Sequence, residues 1–152
     1  MASIEKSIEV CVPVHTAYNQ WTQFEEFPRF MEGVEEVRQL DDTHLHWRAS
    51  VGGKETEWDA VITEQVPDER IAWTNTSGAR NAGVITFHKL DPQTTKLMLQ
   101  LDYDPEGAMQ NIGSALGVVG RRVEGDLERF KEFIESRGAE TGAWRGEVRQ
   151  QH

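Results

Sequence analysis

The chain has 152 residues, of which 38% are apolar, 28% are charged and five are tryptophan, a composition that excludes disorder and fits one domain with a substantial core. Its formal net charge of -10 repels nucleic acid and anionic lipid surfaces, and the short Arg121-Arg122 pair is too small to reverse that field. Cys11 is the single cysteine, which excludes an intramolecular disulfide, and no apolar run approaches a signal-peptide core or a membrane span, so a cytoplasmic protein is expected.

Residues 3 to 12 read as a strand with Ile4, Ile8, Val10 and Val12 on one face. Pro13 stops it and seats a helix over "VHTAYNQW", where Val14, Tyr18 and Trp21 fall at helical spacing. A second short helix, Glu25 to Phe30, must bend at Pro28, and Gly33 closes the region. From Val34 the period changes to two. Val34 to Leu40 is a strand, Asp41-Asp42 a turn, and Leu45, Trp47, Ala49 and Val51 one face of the next strand. Gly52-Gly53 marks a hairpin, followed by a strand over Glu55 to Val66 with Trp58, Ala60 and Ile62 on its apolar side. Ile71 and Trp73 continue that face. Gly83, Ile85 and Phe87 alternate in the next strand, and Leu97, Leu99, Leu101 and Tyr103 in the last. Beyond Pro105, apolar residues from Met109 through Ile112, Leu116, Val119, Val123, Leu127 and Phe130 to Ile134 recur every three or four positions, one stripe on a long helix. Gly138 is its natural stop. The tail after it is polar except for Trp144 and Val148 and reads as loosely held.

Strand, two short helices, hairpin-linked strands and one long helix argue an α+β layer packing, an antiparallel sheet against helices. With "FEEFPRFMEGVEEV" after the first helix and "EWDAVITEQVPDERIAWTN" in mid-chain, this order resembles the polyketide cyclase/dehydrase branch of the START-like, helix-grip superfamily. The resemblance implies a ligand-binding domain over residues 1–138, a polar tail over 139–152, and a seven-stranded antiparallel sheet curled around the C-terminal helix. It also implies an internal apolar cavity for a polycyclic, isoprenoid or lipid-like ligand. Relatives of that kind include aromatase/cyclases, coenzyme-Q-binding proteins and lipid carriers. The aromatics of "FEEFPRFM", with Phe30 and Met31, then either cap the cavity mouth or plug the end of the core.

Trp47, Trp58 and Trp73 fall on the inward face of neighbouring strands. They suit a flat ligand whose carbonyl an indole N–H can meet, or they fill an aromatic core. Gly113, Gly117 and Gly120 each weaken a helix by about 1 kcal/mol relative to alanine, so they either leave space for a ligand or permit close packing. Phe87, Met109, Ile112, Gly113, Leu116 and Gly117 are the further candidate wall, Arg80 and Asn81 candidate rim contacts, and Tyr103 a polar contact inside. His44 and His46 share a strand face with each other, but it is the polar one, and a third ligand such as His88 would come from a distant strand; no metal is expected. Glu55, Glu57 and Asp59 read as a solvated stripe.

No nucleophile elbow, Cys–His pair or phosphate loop is present, and no cofactor is implied. In aromatase/cyclases of the family, an arginine projecting into the pocket is thought to polarise the polyketide. Here Arg70 stands at a strand edge, Arg48 on the outward face and Arg80 in a loop, so catalytic residues stay unassigned. The reading is a protein of the cyclase/dehydrase type that binds an apolar small molecule, cofactor-independent if it is an enzyme. The alternative is a non-catalytic carrier or chaperone of a quinone or lipid, and a third class is a partner-binding module using the tail. Nothing in the sequence sets the oligomeric state.

Overall fold

A computed structural model describes residues 2–51, 54–77, 81–103 and 112–148, with 2, 51, 54, 103 and 112–119 described by their backbone. Strand β1 (Ala2–Val10) leads into helix α1 (Val14–Trp21) and a 3₁₀ helix (Phe24–Arg29). Six strands follow, β2 (Val34–Gln39), β3 (His44–Val51), β4 (Lys54–Val66), β5 (Arg70–Asn75), β6 (Asn81–Asp91) and β7 (Thr94–Tyr103). The chain then forms helix α2 (Ile112–Arg137). The strands make one seven-stranded sheet in the order β1-β7-β6-β5-β4-β3-β2, every pair antiparallel. This is the helix-grip architecture.

Local chemistry sets the boundaries. Pro13 precedes α1, and its carbonyl accepts from the Thr16 and Ala17 amides at 3.0 and 3.1 Å, so the missing proline N–H removes no helical bond. Pro28 stands inside the second helix, which stays a short 3₁₀ run rather than lengthening into an α-helix. Gly33 has φ +84°, and a Cβ there would come within 2.8 Å of both the Ser50 carbonyl and the Arg122 guanidinium. Glycine is required at that turn into β2.

The core lies between the sheet's concave face and α2. Val123, Leu127, Phe130 and Ile134 of α2 are buried in a single stripe. They belong to one buried cluster with Val37 and Leu45 of β2 and β3 and with Ile85, Leu97 and Leu99 of β6 and β7. Helix α2 also covers the free edge of β1: Lys131 Nζ donates to the Glu9 carbonyl at 2.9 Å, and the Cys11 amide donates to Glu135 Oε2 at 2.7 Å. An uncovered edge of that length would invite pairing with another chain. At the opposite end of the sheet, Arg129 Nε donates to the Phe30 carbonyl at 2.9 Å and the Glu32 amide donates to Asp126 Oδ1 at 3.1 Å. One helix thus ties both ends of the curled sheet together.

The tail corrects the sequence expectation. Residues 139–148 are anchored across α1: Thr141 exchanges hydrogen bonds with the Gln20 side chain, and the Trp144 amide donates to Thr22 Oγ1 at 3.1 Å. Arg145 donates to Asn19 Oδ1 and Asp68 Oδ2, and Val148 exchanges backbone hydrogen bonds with Gln65. β4 extends beyond β3 at Gln65, and Val148 takes up the free backbone groups there.

Candidate functional site

An apolar cavity of about 40 Å³ lies between the short helices and the sheet. Trp21 of α1, Phe24 and Phe27 of the 3₁₀ helix and Met31 after it form one wall. Leu45 and Trp47 of β3, Ile62 of β4, and Ile71 and Trp73 of β5 form the other. Each sheet residue gets there by period-two alternation, and the helical aromatics come from the end of α1 and from the 3₁₀ helix.

The tryptophans take different positions. Trp47 packs on Phe27, ring centroids 5.7 Å apart, and lines the cavity. Trp58 is its cross-strand partner and stacks on it at 5.7 Å and 9°, behind the lining rather than in it. Trp73 pairs with Gly83 in the register, and its ring lies on that glycine: a Cβ at residue 83 would fall 2.5 Å from Trp73 Cζ2. The bare backbone of β6 is the seat that lets this indole lie flat.

Several candidate wall residues lie elsewhere. Phe30 is buried against Phe130 and Phe133, with centroids at 5.2 and 5.5 Å, so it plugs the core rather than lining the cavity. Phe87 is buried edge-on against Tyr18 at 5.3 Å, also outside the lining. Asn81 is half-buried at the start of β6, and its Oδ1 is buried with no hydrogen-bond partner. Arg80 and Met109 lie outside the described residues, and for Tyr103, Ile112, Gly113, Leu116 and Gly117 the description stops at the backbone. Gly120 faces β1, where a Cβ would rest 3.6 Å from Lys6 Cε, so that glycine opens no space toward the cavity. Sequence reasoning assigned no lining role to Trp21, Leu45, Ile62 or Ile71. Their periodicity marks them as inward, but an inward residue that packs solidly and one that borders a void carry the same pattern.

The convex face holds the charged groups. His46 is bracketed by Asp59 at 2.7 Å and Glu57 at 2.9 Å, and these hydrogen bonds, Asp59 first, raise its pKa above the ordinary histidine range. His44 bonds Asp41, and His88 sits on β6 with β4 and β5 between it and β3. Among the described residues no three metal-ligating side chains converge. A second polar cluster lies under the C-terminal segment, where burial raises the Tyr18 pKa and the neighbouring Gln65 and Arg145 temper the rise. Arg145 also lies over the Tyr18 ring at 5.6 Å.

Among the described lining residues none is titratable, and the wall presents apolar atoms to the cavity. Such a wall can hold an apolar body, and its described residues include no proton-transfer group.

Comparison with known proteins places this geometry. Residues 10–132 match the family described as polyketide cyclase/dehydrase and lipid transport. An uncharacterized 17.2 kDa protein of Streptomyces lincolnensis is 60% identical over 149 residues, covering 97% of this chain and 99% of that protein. Among solved structures, the Zhui aromatase/cyclase of Streptomyces sp. R1128 superposes with a TM-score of 0.76 at 18% identity, covering 94% of this chain and 99% of that one. A START superfamily protein of Mycobacterium smegmatis does so with a TM-score of 0.71 at 16% identity, covering 89% and 95%. At these identities the two structures share the fold. In the described residues no helix is long and apolar enough to cross a membrane.

Proposed function

The chain belongs to the polyketide cyclase/dehydrase and lipid transport family, and from that premise we propose that it binds an uncharged apolar molecule, polycyclic or isoprenoid, between the short helices and the sheet. The observation that carries this is the all-apolar lining of the cavity, contributed by α1, the 3₁₀ helix and three strands and including three tryptophans. Flat rings gain both buried area and stacking contacts against such a wall.

The cavity's size sets how binding proceeds. About 40 Å³ is little more than one water's share of the liquid, whereas sites for drug-sized ligands span roughly 300–1,000 Å³. Entry of a ring system therefore displaces part of the wall. The 3₁₀ helix and Met31 are the elements to move, because a short 3₁₀ run holds fewer and poorer hydrogen bonds than the sheet behind it.

A non-catalytic carrier or chaperone of a quinone or lipid is the better supported form of this reading, since the described lining offers no acid, base or guanidinium. A cyclase would need one against its polyketide. An environment-sensitive apolar dye should bind at one per chain and quench tryptophan fluorescence. Absence of binding under native conditions defeats the proposal, and turnover of a linear polyketide thioester would move the reading from carrier to cyclase.

A further inference from the structure

We propose that the Asn81 carboxamide sets the ligand's polar end: its oxygen accepts a hydrogen bond from an uncharged hydroxyl or N–H on a molecule whose apolar body lies against Trp73. This rests on the ligand-binding reading above and adds a chemical requirement to it.

On β6, Ile85 and Phe87 are buried core residues, and Asn81 and Gly83 share their phase. Asn81 therefore stands on the concave face, one step beyond Gly83 and about 7 Å along the strand from it. The Trp73 ring rests on Gly83, so Asn81 is the next concave-face residue of β6 past that indole, beyond the residues that line the cavity. Its Oδ1 is buried and unpaired. The adjacent Thr74 hydroxyl does not serve it, because that hydroxyl donates to the Asn81 backbone carbonyl at 3.3 Å. A buried acceptor without a donor is costly, and natural interiors leave few of them. A ligand donor arriving beside Trp73 removes that cost. An apolar end leaves it in place, and an anionic end meets an acceptor oxygen inside a chain of net charge -10. The site thus selects a neutral ligand with a donor at one end.

The test uses three probes of one ring system, naphthalene, 2-naphthol and 2-methoxynaphthalene, measured by equilibrium dialysis against the wild-type chain and Asn81→Leu. The hydroxyl donates, whereas the methoxy group accepts only. Wild type should hold 2-naphthol about tenfold more tightly than the methoxy compound, and Asn81→Leu should lose that preference. Equal affinity of wild type for the hydroxyl and methoxy probes overturns the inference and leaves apolar binding standing. If none of the three binds wild type, the binding reading falls and this inference with it. The wild-type comparison alone decides the matter should Asn81→Leu fold poorly.

Discussion

At the scale of single residues, what lies opposite a glycine decides its meaning. A Cβ on Gly83 would collide with the Trp73 ring at 2.5 Å and with Leu101 Cδ2 at 2.9 Å, and a rigid indole cannot give way as the end of a flexible chain can. Gly83→Ala should therefore cost about 1–3 kcal/mol through overpacking, and the displaced indole should shift the intrinsic fluorescence. Gly120 is the opposite case. An added Cβ there meets the end of Lys6 at ordinary contact distance, so Gly120→Ala should raise stability by about 0.5–1 kcal/mol in a denaturant titration. The sequence shows two glycines; the opposite signs come from neighbours that lie far away along the chain. The same holds for the aromatics. Alternation put Trp47, Trp58 and Trp73 on one face, where they are, but Trp58 stacks behind Trp47 while Trp73 reaches the cavity. Period two reports a face and carries no information about depth.

At the scale of elements, periodic segments were legible and aperiodic ones were not. The 3₁₀ helix was expected over Glu25 to Phe30 and spans Phe24–Arg29, a difference of one residue that helix ends commonly show. The hairpin turns announced themselves through glycine, proline and aspartate. The C-terminal segment reads as loose in the sequence because polar side chains hold it, and a polar run has no period to reveal its partners. Asn19 and Gln20 on α1 and Thr22 just after it are buried, an unusual burden for a helix end unless something caps them, and that is the available signal. The segment supplies that cap. Deleting the residues after Gly138 should uncover these groups and lower the melting temperature by about 5 °C or more. Arg145→Ala alone, with its side chain 41% exposed, should lose only about 1 kcal/mol, since solvent screens much of its pairing with Asp68. A truncated chain that melts with the full-length one would show the segment to be a passenger.

At the scale of the whole molecule, hairpin connections account for the β2-to-β7 order and the apolar stripe for α2, whereas the place of β1 beside β7 is a long-range pairing that no local signal carries and that only the family resemblance implies. The interior volume could not be read at all. A cavity is what remains after every side chain is placed, and moving one ring alters it by as much as the about 40 Å³ that is present. This makes the size of the wall residues the variable to manipulate. Met31 lines the cavity yet is only half-buried, in the loop that Arg129 and Asp126 fasten to α2. Met31→Ala should cost about 1–2 kcal/mol, below the range for a fully buried methionine because part of the side chain already meets water. Apolar dye binding should strengthen in the same variant, because the space that a ring must otherwise open is already clear. Stability and affinity thus move in opposite directions, which a general loosening of the fold would not produce at a temperature where both proteins are native. If the dye binds Met31→Ala no better than wild type, the ligand does not enter beside this loop.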